Sequence, residues 1–427
     1  MNSKDYKIHI IGAGISGLVA AKTLEQNGYK PIIIEASNGV GGRVKTDLIN
    51  GYQIDHGFQV LLDAYPMAKE HLEYSDLNLQ PFLPGATIFS NGRVQTIGDP
   101  LRNISLLVPT LLSSIGSLSD KLKIFKLNTE LKKKSIGAIF NSQSTTTLEY
   151  LKEKGFSNAI ITQFFKPFFS GIFLEPDLRT SSRMFEFVYK MFGEGQAVLP
   201  KGGIASIPKQ LKEQLKHTEF HFNAKVEAVN DDHIILENGD RIETHFTIIA
   251  TPANDLVPNL KNQKTNWKSC YNLYFEVAKR SLSKPIIGLV ADEAALINNI
   301  FFHNSIETDS KGPHELLSVT VVKPHNFSEN DLVKNVQKEL KTYCGIETLD
   351  FLKCYHIKNA LPDLEDLQYD ISPTETQLKP TIYLAGDYML NGSLNAAMLS
   401  GERAAQGIIM SLEDGLVIDN LSSEYMM

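Results

Sequence analysis

The sequence predicts an α/β fold in which one domain is assembled from discontinuous segments and an α+β domain occupies the intervals between them. A strand, a glycine-rich turn, a helix and another strand follow one another over residues 7–35. A further strand runs into glycine near the other end of the chain, at residues 381–387. Of the 427 residues, 42% are apolar and 21% are charged, which suffices for a substantial core and excludes a mainly disordered chain.

Composition narrows the classes of partner and compartment. Lys and Arg number 42 against 49 Asp and Glu, a net charge of −7 that argues against a nucleic-acid partner. Three scattered cysteines, Cys270, Cys344 and Cys354, predict neither a disulfide framework nor a metal site and favour a reducing, cytoplasmic compartment. The first strand begins too early for a signal peptide, and the apolar stretch at 104–118 is too short to span a bilayer. No pattern indicates an oligomeric state.

The amino-terminal unit has the glycine spacing of a phosphate-binding turn. Residues 8–11 predict a strand, 18–27 a helix and 31–35 a second strand, so the turn lies in a complete βαβ unit. Its glycines permit a tight turn, close approach of a pyrophosphate and packing of helix on strand, and they are Gly12, Gly14 and Gly17. The helix that follows offers free N–H groups and its positive dipole end to the phosphates.

A carboxylate closes this unit. Glu35 lies 18 residues after Gly17, at the end of the second strand. A carboxylate in that position accepts hydrogen bonds from both ribose hydroxyls and would repel a 2′-phosphate. Strand, helix, strand and acid in this order predict a dinucleotide site, and a glycine-rich turn without a ligand is the alternative.

Four segments together resemble one family of flavoproteins. They are the fingerprint through Glu35, the Gly-Gly-Arg segment at 41–43, the Lys-Gly-Gly turn at 201–203, and the Ala-Gly-Asp of 385–387 with the helix at 400–405. The chain thus resembles the FAD-dependent superfamily of flavin amine oxidases, protoporphyrinogen oxidases and carotenoid (phytoene) desaturases, with motifs nearest the desaturase-like branch. The resemblance implies FAD as the cofactor.

The resemblance also implies a domain organisation. A Rossmann-type FAD-binding domain, similar to that of glutathione reductase, would comprise residues 1–75, 200–260 and 370–427. The substrate-binding domain would comprise residues 76–199 and 261–369. The remaining predicted elements are a helix to 215, strands at 220–229, 233–237, 246–252, 271–277 and 316–322, turns at Asp231-Asp232 and Asn238-Gly239, and a helix from the capping box at Ser328 and Asp331 to Cys344.

Roles for cofactor-binding residues follow from the same resemblance. Glu35 would hold the adenosine ribose, and Val226 would supply backbone contacts to the adenine. Arg43 would lie by the pyrophosphate and flavin, and Asp387 by the ribityl–phosphate region. Asn395, at the start of the last helix, would lie near the N1–C2 edge of the flavin. The full predicted set is Gly12, Gly14, Ile15, Ser16, Gly17, Glu35, Ala36, Gly41, Gly42, Arg43, Gly57, Phe58, Val226, Gly386, Asp387, Ser393, Leu394, Asn395 and Ala396.

Two further segments each have two interpretations. The aromatic stretches at 164–176 and 182–192 suit either core packing or a long apolar substrate pocket. In 101–134 an apolar stretch precedes residues 120–134, which carry six lysines against two acids, a local charge of +4. That pattern predicts peripheral contact with an anionic membrane, and a solvated helix face beside a buried helix is the alternative.

The family chemistry is hydride transfer from a substrate C–H to flavin N5. Candidate catalytic residues beside the flavin are His56, Gln59 and Tyr388, and His56 suits a structural hydrogen bond equally well. The loop at 392–396 lacks the aromatic residue that amine oxidases commonly present, whereas 57–66 is similar to the flavin-adjacent loop of plant-type desaturases. We therefore predict desaturation or isomerisation of a hydrophobic, polyisoprenoid or carotenoid-like substrate. Protoporphyrinogen oxidase, flavin amine oxidase and, more remotely, a non-catalytic flavin-binding scaffold are the alternatives.

Overall fold

The computed structural model describes residues 6–90, 92–257, 260 and 265–413. Its strands are β1 (Ile8–Ile11), β2 (Ile32–Ile34), β3 (Thr46–Ile49), β4 (Tyr52–Asp55), β5 (Leu61–Leu62), β6 (Leu79–Pro81), β7 (Gly85–Ser90), β8 (Arg93–Gly98), β9 (Ala197–Pro200), β10 (Glu219–His221), β11 (Val226–Val229), β12 (His233–Leu236), β13 (Arg241–Glu243), β14 (Phe246–Ile249), β15 (Trp267–Val277), β16 (Ile287–Val290), β17 (Ile297–Phe302), β18 (Glu315–Val321), β19 (Thr348–Pro362), β20 (Gln377–Lys379) and β21 (Ile382–Leu384).

Thirteen α-helices accompany these strands in the described part of the chain. They are α1 (Ile15–Gln26), α2 (Pro66–His71), α3 (Tyr74–Leu77), α4 (Leu107–Leu112), α5 (Leu118–Lys133), α6 (Ile136–Phe140), α7 (Thr147–Glu153), α8 (Asn158–Ile160), α9 (Lys166–Phe173), α10 (Ser182–Glu194), α11 (Ser206–Gln214), α12 (Glu329–Glu339) and α13 (Leu394–Glu413). Among the described residues, no helix combines the length and apolar character that crossing a membrane requires.

A six-stranded sheet draws its strands from distant parts of the chain. Its order is β10-β2-β1-β14-β21-β20, with five parallel strands and an antiparallel sixth at one edge. All four residues of β1 are buried, as expected for a central parallel strand that is covered on both faces. Helices α1 and α13 pack closely beside this sheet, because Gly401 has no side chain to separate them. A Cβ at Gly401 would lie 2.1 Å from the Ser16 carbonyl oxygen.

A seven-stranded sheet forms the second layer. Its order is β19-β15-β18-β17-β16-β7-β8, and its pairs are antiparallel except for β16 with β7. One face packs against α12 through Leu273 and Phe275 of β15 and Val336 of the helix. Because side chains alternate along a strand, Asn272 and Asn299 lie on the opposite face, where α9 packs.

The α/β fold is as predicted, and two elements differ in their limits. Helix α1 begins at Ile15, three residues before the predicted start, so Gly17 lies inside the first turn. The helix can begin there because Gly17 has no Cβ, which would otherwise lie 2.1 Å from the Gly12 carbonyl oxygen. The prediction of one strand over 220–229 is wrong. Asn223 has a φ of +56°, so the chain leaves the six-stranded sheet after β10 and enters the small β11-β12-β13 sheet.

Each large sheet draws on one set of the predicted domain segments. The strands of the six-stranded sheet fall within 1–75, 200–260 and 370–427, and those of the seven-stranded sheet within 76–199 and 261–369. The domain boundaries themselves stay a prediction, and the limits at residues 1, 261 and 427 lie outside the described residues.

Candidate active site

A cavity of about 1060 Å³ connects the glycine-rich turns with the helical part of the molecule. Its lining combines residues that follow β1 and β2, residues of β15 and β19, and side chains of α4, α5, α9 and α10. Several lining residues are more than half exposed, and they therefore mark where the cavity opens to solvent. The exposed lining residues at this opening are Leu101, Leu111, Leu118, Leu122 and Phe125.

The start of α1 fits a pyrophosphate. The first intrahelical hydrogen bond runs from Leu18 N–H to the Gly14 carbonyl at 3.0 Å, so the N–H groups of Ile15 and Ser16 are left without helical partners. No side chain caps this end and no acid lies in the first turn. A Cβ at Gly14 would meet no protein atom within 4 Å, whereas one at Gly12 would lie 2.7 Å from the Thr251 side chain. Gly14 therefore borders open space that a phosphate can occupy.

Glu35 is fixed beside this turn. Its Oε2 accepts a hydrogen bond from Ala13 N–H at 2.8 Å, and its Oε1 accepts bonds from the Ser37 N–H and hydroxyl at 2.8 and 2.7 Å. The carboxylate lines the cavity, and its Oε2, which accepts one hydrogen bond, has a second lone pair available for a ribose hydroxyl. The helix start offers donors and this carboxylate offers an acceptor, the combination that suits the pyrophosphate and ribose of FAD.

Arg43 and Asp387 join the two ends of the chain at the cavity wall. The Arg43 guanidinium forms an ion pair with the nearly buried Asp387 carboxylate and also donates to the Ala360 carbonyl at 3.2 Å. The same guanidinium lies 5.1 Å from the centre of the Trp267 ring. Arg43 thus connects the six-stranded sheet to β15 and β19, and it presents a fixed positive charge to the cavity.

The structure brings most predicted cofactor residues to one cavity. Those that line it are Gly12, Gly14, Ile15, Ser16, Glu35, Gly41, Gly42, Arg43, Gly57, Phe58, Gly386, Asp387, Ser393 and Leu394. Gly17, Ala36, Val226, Asn395 and Ala396 are not among its lining residues. Asn395 is fully buried, and its Oδ1 accepts a hydrogen bond from Met67 N–H at 3.0 Å, which ties α13 to α2.

His56 and Gln59 line the cavity, but their polar atoms hold the surrounding loop. His56 Nε2 lies 2.9 Å from Asp47 Oδ2, and its ring stacks on Tyr355, whose hydroxyl donates to the same oxygen at 2.6 Å. Burial alone would raise the pKa of Asp47, but the hydrogen bonds from Tyr355 and His56 outweigh it and the pKa is lowered. Gln59 Nε2 donates to the carbonyls of Arg43 and His56 at 3.0 and 2.8 Å.

Tyr388 lines the cavity from the other end of the chain. Its hydroxyl donates to the Thr251 carbonyl at 3.3 Å. Burial, with the nearby charge of Asp387, raises the pKa of Tyr388, so the phenol stays protonated at neutral pH. Its ring also explains Gly386, because a Cβ there would lie 2.2 Å from the Tyr388 Cε1 atom.

The side chains of the two aromatic segments are divided between the cavity lining and the core. Side chains that line the cavity are Phe164, Phe168, Phe169, Phe173, Met184, Val188, Tyr189 and Phe192. Side chains that instead pack fully buried in the core are Phe165, Phe185 and Phe187. Because of the helical periodicity, one face of each segment forms an apolar wall of the cavity and the opposite face packs in the core.

A polar row crosses the sheet beside this apolar wall. Asn299 Nδ2 donates to Thr320 Oγ1 at 3.2 Å, and Thr320 Oγ1 donates to Asn272 Oδ1 at 3.0 Å. All three side chains are buried, and Asn299 and Thr320 line the cavity. Sequence reasoning missed this row, because its members come from three strands and no local pattern connects them.

Sequence reasoning also missed the cavity residues at the start of β15. Trp267, Lys268 and Cys270 line the cavity, but the predicted strand began at 271. Lys268 Nζ lies 3.3 Å from Asp363 Oδ1 and donates to Thr180 Oγ1 at 3.2 Å. Burial raises the pKa of the Cys270 thiol to about 12, so it is not a reactive thiolate. The only tryptophan of the chain was the one available signal.

Comparison with known proteins identifies relatives along nearly the whole chain. A family model described as flavin containing amine oxidoreductase matches residues 15–409. The chain is 23% identical to a 15-cis-phytoene desaturase of Glycine max over 470 aligned positions, which cover 96% of this chain and 80% of that protein.

Two solved structures share the fold. One is a CLA-producing fatty acid isomerase from P. acnes, with a TM-score of 0.72 at 16% identity, covering 95% of this chain and 99% of that one. The other is a putrescine oxidase bound to putrescine, with a TM-score of 0.68 at 17% identity and the same coverage. At these identities the similarity concerns the fold alone.

Proposed function

This chain belongs to the flavin-containing amine oxidoreductase family, whose members are FAD-dependent oxidoreductases, and on that premise we propose that it removes a hydride from a hydrophobic, polyisoprenoid-like substrate. The net reaction would be a desaturation, in which the neighbouring carbon also loses a proton to solvent and oxygen or a quinone reoxidises the flavin, or an isomerisation, in which the hydride returns to the substrate. One observation carries the proposal: the cavity that begins at the glycine-rich turn continues without interruption into an apolar wall of aromatic side chains.

The chain's own residues would hold FAD at the first part of this cavity. The free N–H groups at the start of α1 would receive the pyrophosphate, and Glu35 would accept hydrogen bonds from the ribose. Arg43, held by Asp387, would supply a positive charge farther along the cavity. Bound FAD supplies the redox chemistry by accepting a hydride from substrate carbon.

Orientation and exclusion of water are the contributions expected of the apolar wall. Phe164, Phe168 and Phe192 offer contact area without hydrogen-bonding groups, which suits an extended hydrocarbon chain. We assign no general base. His56, the one imidazole among the described lining residues, is engaged by Asp47 and Tyr355, and its role is to position the loop between β4 and β5.

The acids of the cavity disfavour an amine substrate. Among the described lining residues the carboxylates are Glu35, Asp99 and Asp387. Glu35 is held by Ala13 and Ser37, and Asp387 is paired with Arg43. Asp99 lies within electrostatic range of the Arg102 guanidinium, which also lines the cavity. A protonated amine would therefore find little uncompensated negative charge along the aromatic wall, and a neutral substrate is better matched. The similarity to a phytoene desaturase points the same way.

The test is anaerobic reduction of the bound cofactor. FAD-loaded protein is mixed with a polyisoprenoid hydrocarbon in liposomes, and the visible flavin absorption is followed. We expect bleaching with the hydrocarbon and none with putrescine. Bleaching by putrescine or by protoporphyrinogen, with none from the hydrocarbon, would refute a polyisoprenoid substrate and indicate an amine or a porphyrinogen instead. Reduction by dithionite alone, with the double bonds of the hydrocarbon unchanged in number and geometry after incubation, would favour a non-catalytic flavin protein.

A further inference from the structure

An exposed apolar surface surrounds the opening of the cavity. Of the fifteen large apolar side chains that are exposed in the described part of the chain, nine lie between residues 101 and 125. We call these nine the rim surface, and they are Leu101, Ile104, Leu107, Val108, Leu111, Leu112, Leu118, Leu122 and Phe125. So dense a cluster in 25 residues is typical of a surface that is covered in use.

The rim surface has an inner and an outer part. Leu107 and Leu111 of α4 line the cavity, as do the exposed side chains of the first half of α5. Ile104, Val108 and Leu112 follow one another at four-residue spacing, are 74%, 61% and 80% exposed, and are not among the lining residues. The outer part therefore faces away from the cavity, and nothing about substrate binding explains its apolar character.

Helix α5 changes from apolar to basic along its exposed side. Leu118, Leu122 and Phe125 are exposed in its first half, where the ammonium groups of Lys121 and Lys123 donate to the Ser113 and Gly155 carbonyls. Lys126, Lys132 and Lys133 are exposed beyond them. Exposed apolar side chains beside a basic segment are typical of an interfacial helix, whose apolar face enters the boundary between headgroups and acyl chains. The basic half would then lie at the level of the lipid headgroups.

The structure shows which charged side chains of residues 118–134 already have partners within the chain. Of the two acids in this segment, Asp120 is turned inward, where it caps α5 and accepts hydrogen bonds from Ser117 and Ser157. Lys134 is engaged in an ion pair with Glu186. Glu130 is the acid left at the surface of α5, and it pairs with Lys126 and Lys154.

We propose that the rim surface docks on an anionic lipid bilayer and places the opening of the cavity against the membrane. The outer part of the rim surface, Ile104, Val108 and Leu112, would enter the acyl region. Lys132 and Lys133, at the end of α5, would meet anionic headgroups. A second copy of the chain fits this surface less well, because a symmetric contact places the surface against itself and the acids of this segment, Asp120 and Glu130, are already engaged within the chain. Docking does not depend on which reaction the protein performs.

The test compares three variants of the full-length, FAD-loaded protein in flotation with vesicles. The first is Ile104→Ser/Val108→Ser/Leu112→Ser, which alters the outer part alone. Its matched control is Leu48→Ser/Leu349→Ser/Met410→Ser, three exposed apolar residues elsewhere on the surface. The third is Lys132→Gln/Lys133→Gln, with Lys134 left in place because it pairs with Glu186. Vesicles of phosphatidylcholine, with or without phosphatidylglycerol, are the probes.

We expect wild type and control to bind vesicles that contain phosphatidylglycerol, and the outer-part variant to bind at least about a hundredfold more weakly. The lysine variant should lose about thirtyfold on anionic vesicles and almost nothing on neutral ones, because each lysine contributes about 1 kcal/mol near an anionic surface. The bound-flavin spectrum should be the same in all three, which separates a docking defect from a cofactor defect.

Three results would overturn the proposal. They are absence of vesicle binding by the FAD-loaded wild type, equal loss of binding by the matched control, and vesicle-independent self-association that the outer-part variant abolishes. The last would make the rim surface a contact between copies. Failure of the hydrocarbon to bleach the flavin while vesicle binding persists would refute the proposed reaction and leave the docking surface standing.

Discussion

Gly14→Ala separates cofactor binding from folding. Gly14 has φ −73° and ψ −179°, a conformation that alanine adopts without strain, and a Cβ there would meet no protein atom within 4 Å. The folded protein without FAD should therefore change little in stability, because the gain of about 0.4–1 kcal/mol from restricting the unfolded chain is offset by the lower preference of alanine for the N-cap position that Gly14 occupies. The same methyl group would occupy the space beside the free N–H groups of Ile15 and Ser16, where we place the pyrophosphate.

The expected loss of affinity follows from those N–H groups. A hydrogen bond to a charged group contributes about 1.5–3 kcal/mol, so losing one raises the FAD dissociation constant about ten- to a hundredfold. The measurements are the dissociation constant from titration of apoprotein with FAD and the melting temperature of the apoprotein. Gly39→Ala is the matched control, because its Cβ would also meet no atom within 4 Å and Gly39 is not among the cavity-lining residues.

Gly17→Ala gives the opposite pattern. Its Cβ would lie 2.1 Å from the Gly12 carbonyl oxygen, so the apoprotein itself should be destabilised. The reasoning is refuted if Gly14→Ala binds FAD as tightly as wild type. It is also refuted if Gly14→Ala lowers the melting temperature of the apoprotein as Gly17→Ala does, since Gly14 would then have a structural role.

Three further predictions concern other parts of the molecule. Glu35→Ala should lower FAD retention about ten- to a hundredfold, measured as bound flavin per protein after dialysis, and unchanged stoichiometry would contradict the ribose assignment. Gly401→Ala should destabilise the fold by about 1–3 kcal/mol in thermal melting, because its Cβ would lie 2.1 Å from the Ser16 carbonyl oxygen; an unchanged melting temperature would show that α13 can shift freely. Burial raises the pKa of Asp55 from 3.8 to about 6. The folded protein therefore binds this proton more tightly than the unfolded chain does, and the wild-type protein loses stability as the pH rises from about 4 through about 6. Asp55→Asn should therefore be more stable than wild type by about 1–3 kcal/mol above pH 6, with the gain vanishing below about pH 4, and a gain that persists in acid would point to a cause other than ionisation.

The βαβ unit could be predicted because its determinants are local. Apolar runs, the spacing of Gly12, Gly14 and Gly17, and the acid at Glu35 all lie within 30 residues, and each has a direct physical reason. Even here the helix began earlier than its apolar pattern suggested. A glycine inside the first turn reads as loop in the sequence, whereas in the structure it allows the helix to start close to β1.

Long-range contacts could not be predicted. His56 stacks on a tyrosine that is 299 positions away in the chain, and both meet Asp47 through side chains whose partners no local pattern specifies. The basic run at 132–134 shows the same limit. Its third lysine pairs with Glu186 on α10, so a charge that looks free in the sequence belongs to the core of the helical part.

The two proposals meet at the opening of the cavity. Hydride transfer to a flavin benefits from a dry site, yet Leu118, Leu122 and Phe125 leave the cavity of the isolated chain open to water. In water their exposure is unfavourable and the cavity is wet at its rim. Against a bilayer the same side chains would be buried, and the cavity would continue into an apolar phase from which a hydrocarbon could enter without crossing water. A soluble substrate would require neither the exposed side chains of Ile104, Val108 and Leu112 nor the basic end of α5. Burial of apolar surface thus underlies both proposals, but vesicle flotation tests the docking surface and flavin bleaching tests the substrate class.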